Sequence, residues 1–326
     1  MLVPQPHLSP LLCEEHFRTY SPSLVDYPDR FVPLLSPKLS FVSTQMVYVC
    51  PLCVRQYLVY LPDGICGSAE FSEDHLPPQS VGGQFKVLTC KKCNNDAGHY
   101  EAELLNLLDF GTVPDKRHQS LFTHVRVASE STGESYPVAA RRKADAVNFE
   151  FREEAKQYNK KLKDFIEKIH ARQFPKLTIM VGVPDEQKLA KAILKSSYLL
   201  GFAFWGYEFV YSLHGQWIRE VLKGEREYPT RVPMQWKGAS NSQLKRGVSI
   251  LQRNGNKEAF LMTLELSTPT ERVMTATLFP SPVENGWERL AELKPIVEGN
   301  VPTQVQTTTI PRTIQRRGYS AAWALI

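Results

Sequence analysis

Short strand-length apolar runs lie on both sides of one long apolar run, Ile193–Leu213, in this chain of 326 residues. Met46–Val49 and Gln56–Leu61 are short apolar runs that read as strands, with a tight Cys-Pro-Leu-Cys segment between them. Pro62-Asp-Gly64 reads as a turn, Phe71–His75 as the end of a strand and Lys86–Thr89 as a second short strand. From about Asn94 the period lengthens. Ala97, Tyr100, Leu104, Leu107 and Leu108 form one apolar stripe, which predicts a helix. Phe122–Ala128 and Tyr136–Ala140 flank Ser-Thr-Gly-Glu as a hairpin would. A charged helix is expected over 149–172, where Phe151, Ala155, Tyr158, Leu162, Phe165 and Ile169 form a narrow seam. Lys176–Val183 reads as a strand, and Asp185 as the cap of a long apolar helix. Gly247–Gln252 and Glu258–Leu266 are expected to pair around Arg-Asn-Gly-Asn, with Arg272–Phe279 as a third strand and Trp287–Leu293 as a short helix.

This pattern predicts an α+β chain in five parts. Residues 1–46, rich in proline, read as an irregular strap, 47–110 as a strand–strand–helix module, and 111–148 as a hairpin connector. Residues 149–300 read as an α+β domain of long helices and a small antiparallel sheet, and 301–326 as a tail. The run Ile193–Leu213 resembles a membrane span in length, but Lys195, Ser196, Ser197 and Glu208 interrupt it, which favours a buried helix.

Composition changes this picture little. At 42% hydrophobic and 22% charged residues the chain resembles globular proteins, which excludes bulk disorder. Charge distribution is more informative than the net +5. Residues 141–176 hold eleven Lys/Arg against six Asp/Glu, a surplus of five, equal to that of the whole chain. Residues 70–110 carry only Lys86, Lys91 and Lys92 against seven acids. If a polyanion is bound, the basic residues Arg141, Arg142, Lys143, Arg152, Lys156, Lys160 and Lys163 supply most of the counter-charge, joined by Lys91 and Lys92. The same run also reads as a solvated helix face.

Cysteine spacing carries the strongest chemical signal. Of six cysteines, Cys50/Cys53 and Cys90/Cys93 form two Cys-x-x-Cys pairs with 36 residues between them. Two such pairs suit a tetrahedral zinc site in which four thiolates leave no open position, hence a structural site. Redox dithiols would need a βαβ context that the pattern lacks. The first twenty residues lack a secretory pattern, so reduced thiols and a cytoplasmic setting are expected. Cys13 and His16 have the spacing of a metal pair but read better as a packed thiol and a surface histidine, and Cys66 as a packed thiol.

Between the pairs lies Asp74-His75-Leu-Pro-Pro-Gln-Ser-Val-Gly-Gly, and the second pair sits in Val87-Leu-Thr-Cys-Lys-Lys-Cys-Asn94. Over some 60 residues this resembles the HNH endonuclease family of the ββα-metal fold, in its zinc-braced branch. The resemblance implies a phosphodiester hydrolase acting on DNA. His75 would be the general base, and Asp74 and Asn94 would be ligands of one catalytic Mg²⁺ or Mn²⁺. Asn95 and His99 are alternatives for the helix position. Gln84 stands where many HNH proteins carry an asparagine that pins the histidine loop, so either Gln84 or backbone contacts would take that role. The resemblance also implies a bacterial role in defence against phage or plasmid DNA. A competing reading is a zinc-ribbon module that binds nucleic acid or protein and carries an inactive or partner-gated nuclease centre. A third makes the C-terminal half a sensor of a regulatory partner.

Overall fold

The computed structural model describes residues 3–20, 47–61, 64–111, 121–129, 135–143, 146–151, 177–181, 185–230, 234–237, 246–267, 272–297, 305–310 and 318–324, with the single residues 163, 167, 168 and 171. In chain order the first elements are β1 (Val3–Pro4), α1 (Pro10–Tyr20), β2 (Val47–Val49), β3 (Tyr57–Leu61), β4 (Gly64–Gly67), β5 (Phe71–Leu76) and β6 (Phe85–Cys90). Then follow α2 (Lys91–Gly111), β7 (Leu121–Ser129), β8 (Ser135–Lys143), β9 (Ala146–Phe151), β10 (Leu177–Val181), α3 (Glu186–Tyr211) and α4 (Leu213–Lys223). The remainder includes β11 (Met234–Lys237), β12 (Gly247–Arg253), β13 (Asn256–Ser267), β14 (Arg272–Pro280), α5 (Gly286–Glu292), followed by a single helical turn at Lys294–Val297, β15 (Val305–Thr309) and α6 (Tyr319–Ala324). The class is mixed α+β with small antiparallel sheets.

These strands form four sheets, ordered β1-β4-β3-β2, β5-β6, β10-β7-β8-β9 and β11-β14-β13-β12-β15. The expected β12–β13 hairpin is present. Asn254 (φ 51°) and Gly255 (φ 80°) both adopt positive φ at its tip, the backbone that an Asn-Gly two-residue turn requires.

α3 is the spine of the molecule. Asp185 caps it by accepting hydrogen bonds from the N–H groups of Gln187 and Lys188. Gly206 breaks its helical geometry with φ 61°. Its apolar residues are buried on nearly all sides, as expected of a helix hydrophobic all round. The Tyr207 hydroxyl donates to the Val49 carbonyl (2.5 Å) and accepts from the Val49 N–H (2.6 Å). The Ser197 and Thr277 hydroxyls are 3.2 Å apart, joining α3 to β14. One hydrophobic core therefore runs from Leu8 and Tyr48 through Phe202 and Phe209 to Phe260 and Ala322. No helix among the described residues is long and apolar enough to cross a membrane.

Three expectations are corrected. Residues 3–20 are not an irregular strap, because α1 occupies Pro10–Tyr20 and buries Cys13, Phe17 and Tyr20 along one face. Pro10 stands at the helix start, where its missing N–H costs nothing. Residues 149–151 are the end of strand β9 and not the start of a helix. Val147, Phe149 and Phe151 alternate with Asn148 and Glu150 at strand period, and β9 pairs with β8 from Lys143↔Ala146 to Val138↔Phe151. Most of the rest of that expected helix lies outside the described residues. Where they are described, the Ala171 N–H donates to the Glu167 carbonyl at 2.8 Å, a helical turn. Finally, the tail from 301 contributes β15 to the last sheet and α6 to the core.

Candidate metal centre and the adjoining acid–histidine strand

Three backbone devices bring the cysteines together. Cys50 and Cys53 lie in the tight turn between β2 and β3, where the Val54 N–H donates to the Cys50 carbonyl at 2.9 Å and Val54 takes φ 50°. Cys90 ends β6, and Cys93 lies in the first turn of α2. Their sulfur atoms all fall within 4.8 Å of one another. The Cys90 N–H donates to the Cys50 sulfur at 3.4 Å, and the Tyr198 hydroxyl of α3 donates to the Pro51 carbonyl at 2.9 Å. Burial pushes the Cys50 thiol well above its ordinary range, whereas hydrogen bonds from the neighbouring thiols, Cys50 first, hold Cys53 well below it. Four cysteine sulfurs this close together can hold a metal ion such as zinc. Among the described residues neither Cys13 nor His16 joins such a group. Burial raises the Cys13 thiol to about 11, and His16 is buried, with its Nδ1 2.8 Å from the Leu12 carbonyl. Its expected surface position is therefore wrong. Cys66 is half-buried on β4.

β5 and β6 pair antiparallel from Phe71↔Cys90 to Leu76↔Phe85, and α2 begins at the residue after β6. The loop between the strands is tightly built. Gly82 takes φ 87°, and a Cβ on Gly83 would lie 1.5 Å from the Pro77 carbonyl oxygen. Only glycine fits there. Gln84 in this loop is exposed.

Pleating sends Asp74 and His75 to opposite sides of β5. His75 is half-buried and pairs in register with Lys86. Asp74 is buried, 3% exposed. Its Oδ2 lies 2.7 Å from Lys195 Nζ of α3 and accepts the Thr89 hydroxyl at 3.2 Å. Lys195 Nζ also donates to Glu101 Oε1 of α2 at 2.6 Å. Burial raises the Glu101 carboxyl above its ordinary value, with Lys195 opposing. For Lys195 burial is the largest influence and lowers the ammonium, yet the Asp74 and Glu101 carboxylates together leave it raised.

Asn94 Nδ2 donates to Ser72 Oγ at 2.9 Å and to the Glu73 carbonyl at 3.2 Å. Ser72 lies on the same side of β5 as Asp74, so the start of α2 is tied to the strand beside the buried acid. Asn95 and His99 are both exposed. Lys91 and Lys92 make exposed ion pairs with Glu70 (3.0 Å) and Asp96 (2.8 Å). Arg141, Arg142 and Lys143 end β8, Lys163 is exposed, and Arg152, Lys156 and Lys160 lie outside the described residues.

Lys195 and Glu101 are the functional candidates that sequence reasoning missed. A signal existed: Lys195 is a charge inside the apolar run of α3, a position that demands a partner. The sequence does not say which carboxylates provide it. Comparison with family models, with curated proteins and with solved structures finds no match for this chain.

Proposed function

We propose that the chain is a zinc-braced, metal-dependent endonuclease of the HNH type that hydrolyses phosphodiester bonds of DNA. The observation that carries this reading is the hydrogen bond from the Asn94 side chain to the Glu73 carbonyl, which fixes the start of α2 beside the Asp74-His75 strand. In support, the strand–loop–strand–helix order has one cysteine pair on the preceding turn and the other across the β6–α2 junction. Zinc on Cys50, Cys53, Cys90 and Cys93 closes that junction and leaves no position for substrate.

The residues around Asp74 suit a hard cation. Asp74, Glu101 and Asn94 offer only oxygen donors, and a cationic group, the Lys195 ammonium, already sits between the two carboxylates. Asp74 would hold a Mg²⁺ or Mn²⁺ ion, with Asn94 on the same side of the strand. Such an ion supplies Lewis-acid polarisation of a phosphate and stabilises negative charge on the departing oxygen. His75, on the other side of β5, would take the proton from the attacking water through a ring nitrogen, the role of a general base. Residues 70–110 carry seven acids against three lysines, and those lysines are paired with Glu73, Glu70 and Asp96, so basic residues such as Arg141–Lys143 and Lys163 would hold the DNA backbone.

A second reading, a nuclease centre closed until a partner acts, is favoured by one observation: the Asp74 carboxylate is engaged by Lys195. Incubation of zinc-loaded protein with supercoiled plasmid and Mg²⁺ or Mn²⁺ tests both. Nicking that falls about 10²–10⁴-fold in His75→Ala supports the catalytic assignment. Equal nicking by both proteins removes it, and silence from both leaves a centre that is inactive or closed until a partner acts.

A further inference from the structure

Lys195 comes from the long helix of the C-terminal half, yet its charge is held by the two elements that carry the candidate centre. Its side chain is 1% exposed, and Nζ lies 2.7 Å from Asp74 Oδ2 on β5 and 2.6 Å from Glu101 Oε1 on α2. We propose that Lys195 is the built-in occupant of a divalent-cation site whose ligands are Asp74 and Glu101, so that the ion binds only when the ammonium withdraws. This deepens the nuclease reading and rests on it for the purpose of the ion, but not for the presence of the site.

Charge favours exchange. Two carboxylates around one ammonium leave the buried cluster with a net −1, whereas a divalent ion in the same place brings it to zero. Burial of unneutralised charge is costly, so the cluster has affinity left over for a second unit of positive charge. Geometry makes the two occupants exclusive. A Mg²⁺-like ion needs carboxylate oxygens at about 2.0–2.1 Å, and the ammonium already lies against the same Asp74 oxygen. Ammonium and metal held on one oxygen would repel strongly in a site this dry.

The lysine is also placed to report on the rest of the fold. Ser197 meets Thr277 of the C-terminal sheet and Tyr198 donates to Pro51 of the cysteine turn, two and three residues beyond Lys195. α3 is thus fixed to the sheet on one side and to the cysteine turn on the other. A ligand or protein that moves α3 relative to β5 and α2 would open the slot. Lysine suits this task because its four-carbon stem lets the charge swing away without unfolding the helix.

The test measures Mn²⁺ binding to the zinc-loaded full chain by the loss of the free-ion electron paramagnetic resonance signal, in wild type, Lys195→Met and Lys195→Met/Glu101→Gln. Lys195→Met keeps the length of the side chain and removes its charge. It should bind one Mn²⁺ at least about tenfold tighter than wild type, because no fraction of the protein is held closed. It should also gain more thermal stability from Mn²⁺ than wild type does. Adding Glu101→Gln should remove both gains. Equal Mn²⁺ affinity in wild type and Lys195→Met, no binding by Lys195→Met, or a gain that survives Glu101→Gln would each overturn the proposal. If Lys195→Met fails to fold alone, recovery of folded protein only when Mn²⁺ is present supports it, and failure both with and without Mn²⁺ overturns it. Plasmid nicking by the His75→Ala variant reports on the nuclease reading separately, because Mn²⁺ binding is measured without substrate.

Discussion

Gly83→Ala tests the geometry of the loop that follows His75. The new methyl carbon would sit 1.5 Å from the Pro77 carbonyl oxygen, 2.6 Å from the Pro77 carbonyl carbon and 3.1 Å from the Pro78 oxygen. Carbon–oxygen contacts do not close below about 3.0 Å, so the main chain at Pro77 and the chain at Gly83 must part by roughly 1.5 Å. Every clashing atom is backbone, and Pro77 is buried, so no side-chain rotation relieves the contact. Parting also breaks the hydrogen bond from the Gly83 N–H to the Pro78 carbonyl at 3.2 Å. The lost bond is worth about 1 kcal/mol and the forced displacement about 1–3 kcal/mol, so the variant should be destabilised by about 2–4 kcal/mol. Urea unfolding followed by tryptophan fluorescence measures this as a lower midpoint at unchanged slope. The reporters are apt, because Trp205 and Trp323 pack in the hydrophobic core shared with β5. A change within about 0.5 kcal/mol of wild type would mean that the loop does not close on itself in this way.

Gly98→Ala should act in the opposite direction. Gly98 lies inside α2, exposed, with nothing within 4 Å of an added Cβ, so the variant should gain about 1 kcal/mol in the same urea experiment. A loss of stability there would contradict the helical assignment. Cys53→Ser should lower the metal content of the purified protein, from about one tetrahedrally held ion per chain, and lower the unfolding midpoint. Elemental analysis by mass spectrometry checks the first effect, and a metal content equal to wild type would show that the four sulfurs do not share an ion.

Much of the candidate centre was legible because its signals are local. A Cys-x-x-Cys pair makes its own tight turn, and a double glycine marks positions where no side chain fits. Asn94, three residues into α2, could be matched to the helix start without knowledge of the rest. The α3 cap at Asp185 and the Asn-Gly turn of β12–β13 were legible for the same reason, since each is specified by residues within four positions. α1 was obscured by its flanking prolines, although Pro10 stands where a helix tolerates proline. β9 was obscured because Phe149 and Phe151 suit both a strand and the first turn of an amphipathic helix. Pairing with β8, a partner chosen by the fold, decided between them.

The sequence by itself determined the cysteine pairs, the acid–histidine strand, the helix that follows and the hydrophobic helix in the second half, because each is encoded by spacing within a short window. Only the tertiary structure decided what surrounds them. It joined the halves into one core through Tyr207, Tyr198 and Ser197, and it set Lys195 between Asp74 and Glu101 across 121 and 94 positions of sequence. The physical reason is that a buried charge must find its counter-charge, and the chain can supply that partner from any distance once α3 packs beside β5 and α2. Asp74, the acid for which the family resemblance implies a metal, is in the folded protein already paired with a cation from the other half of the chain.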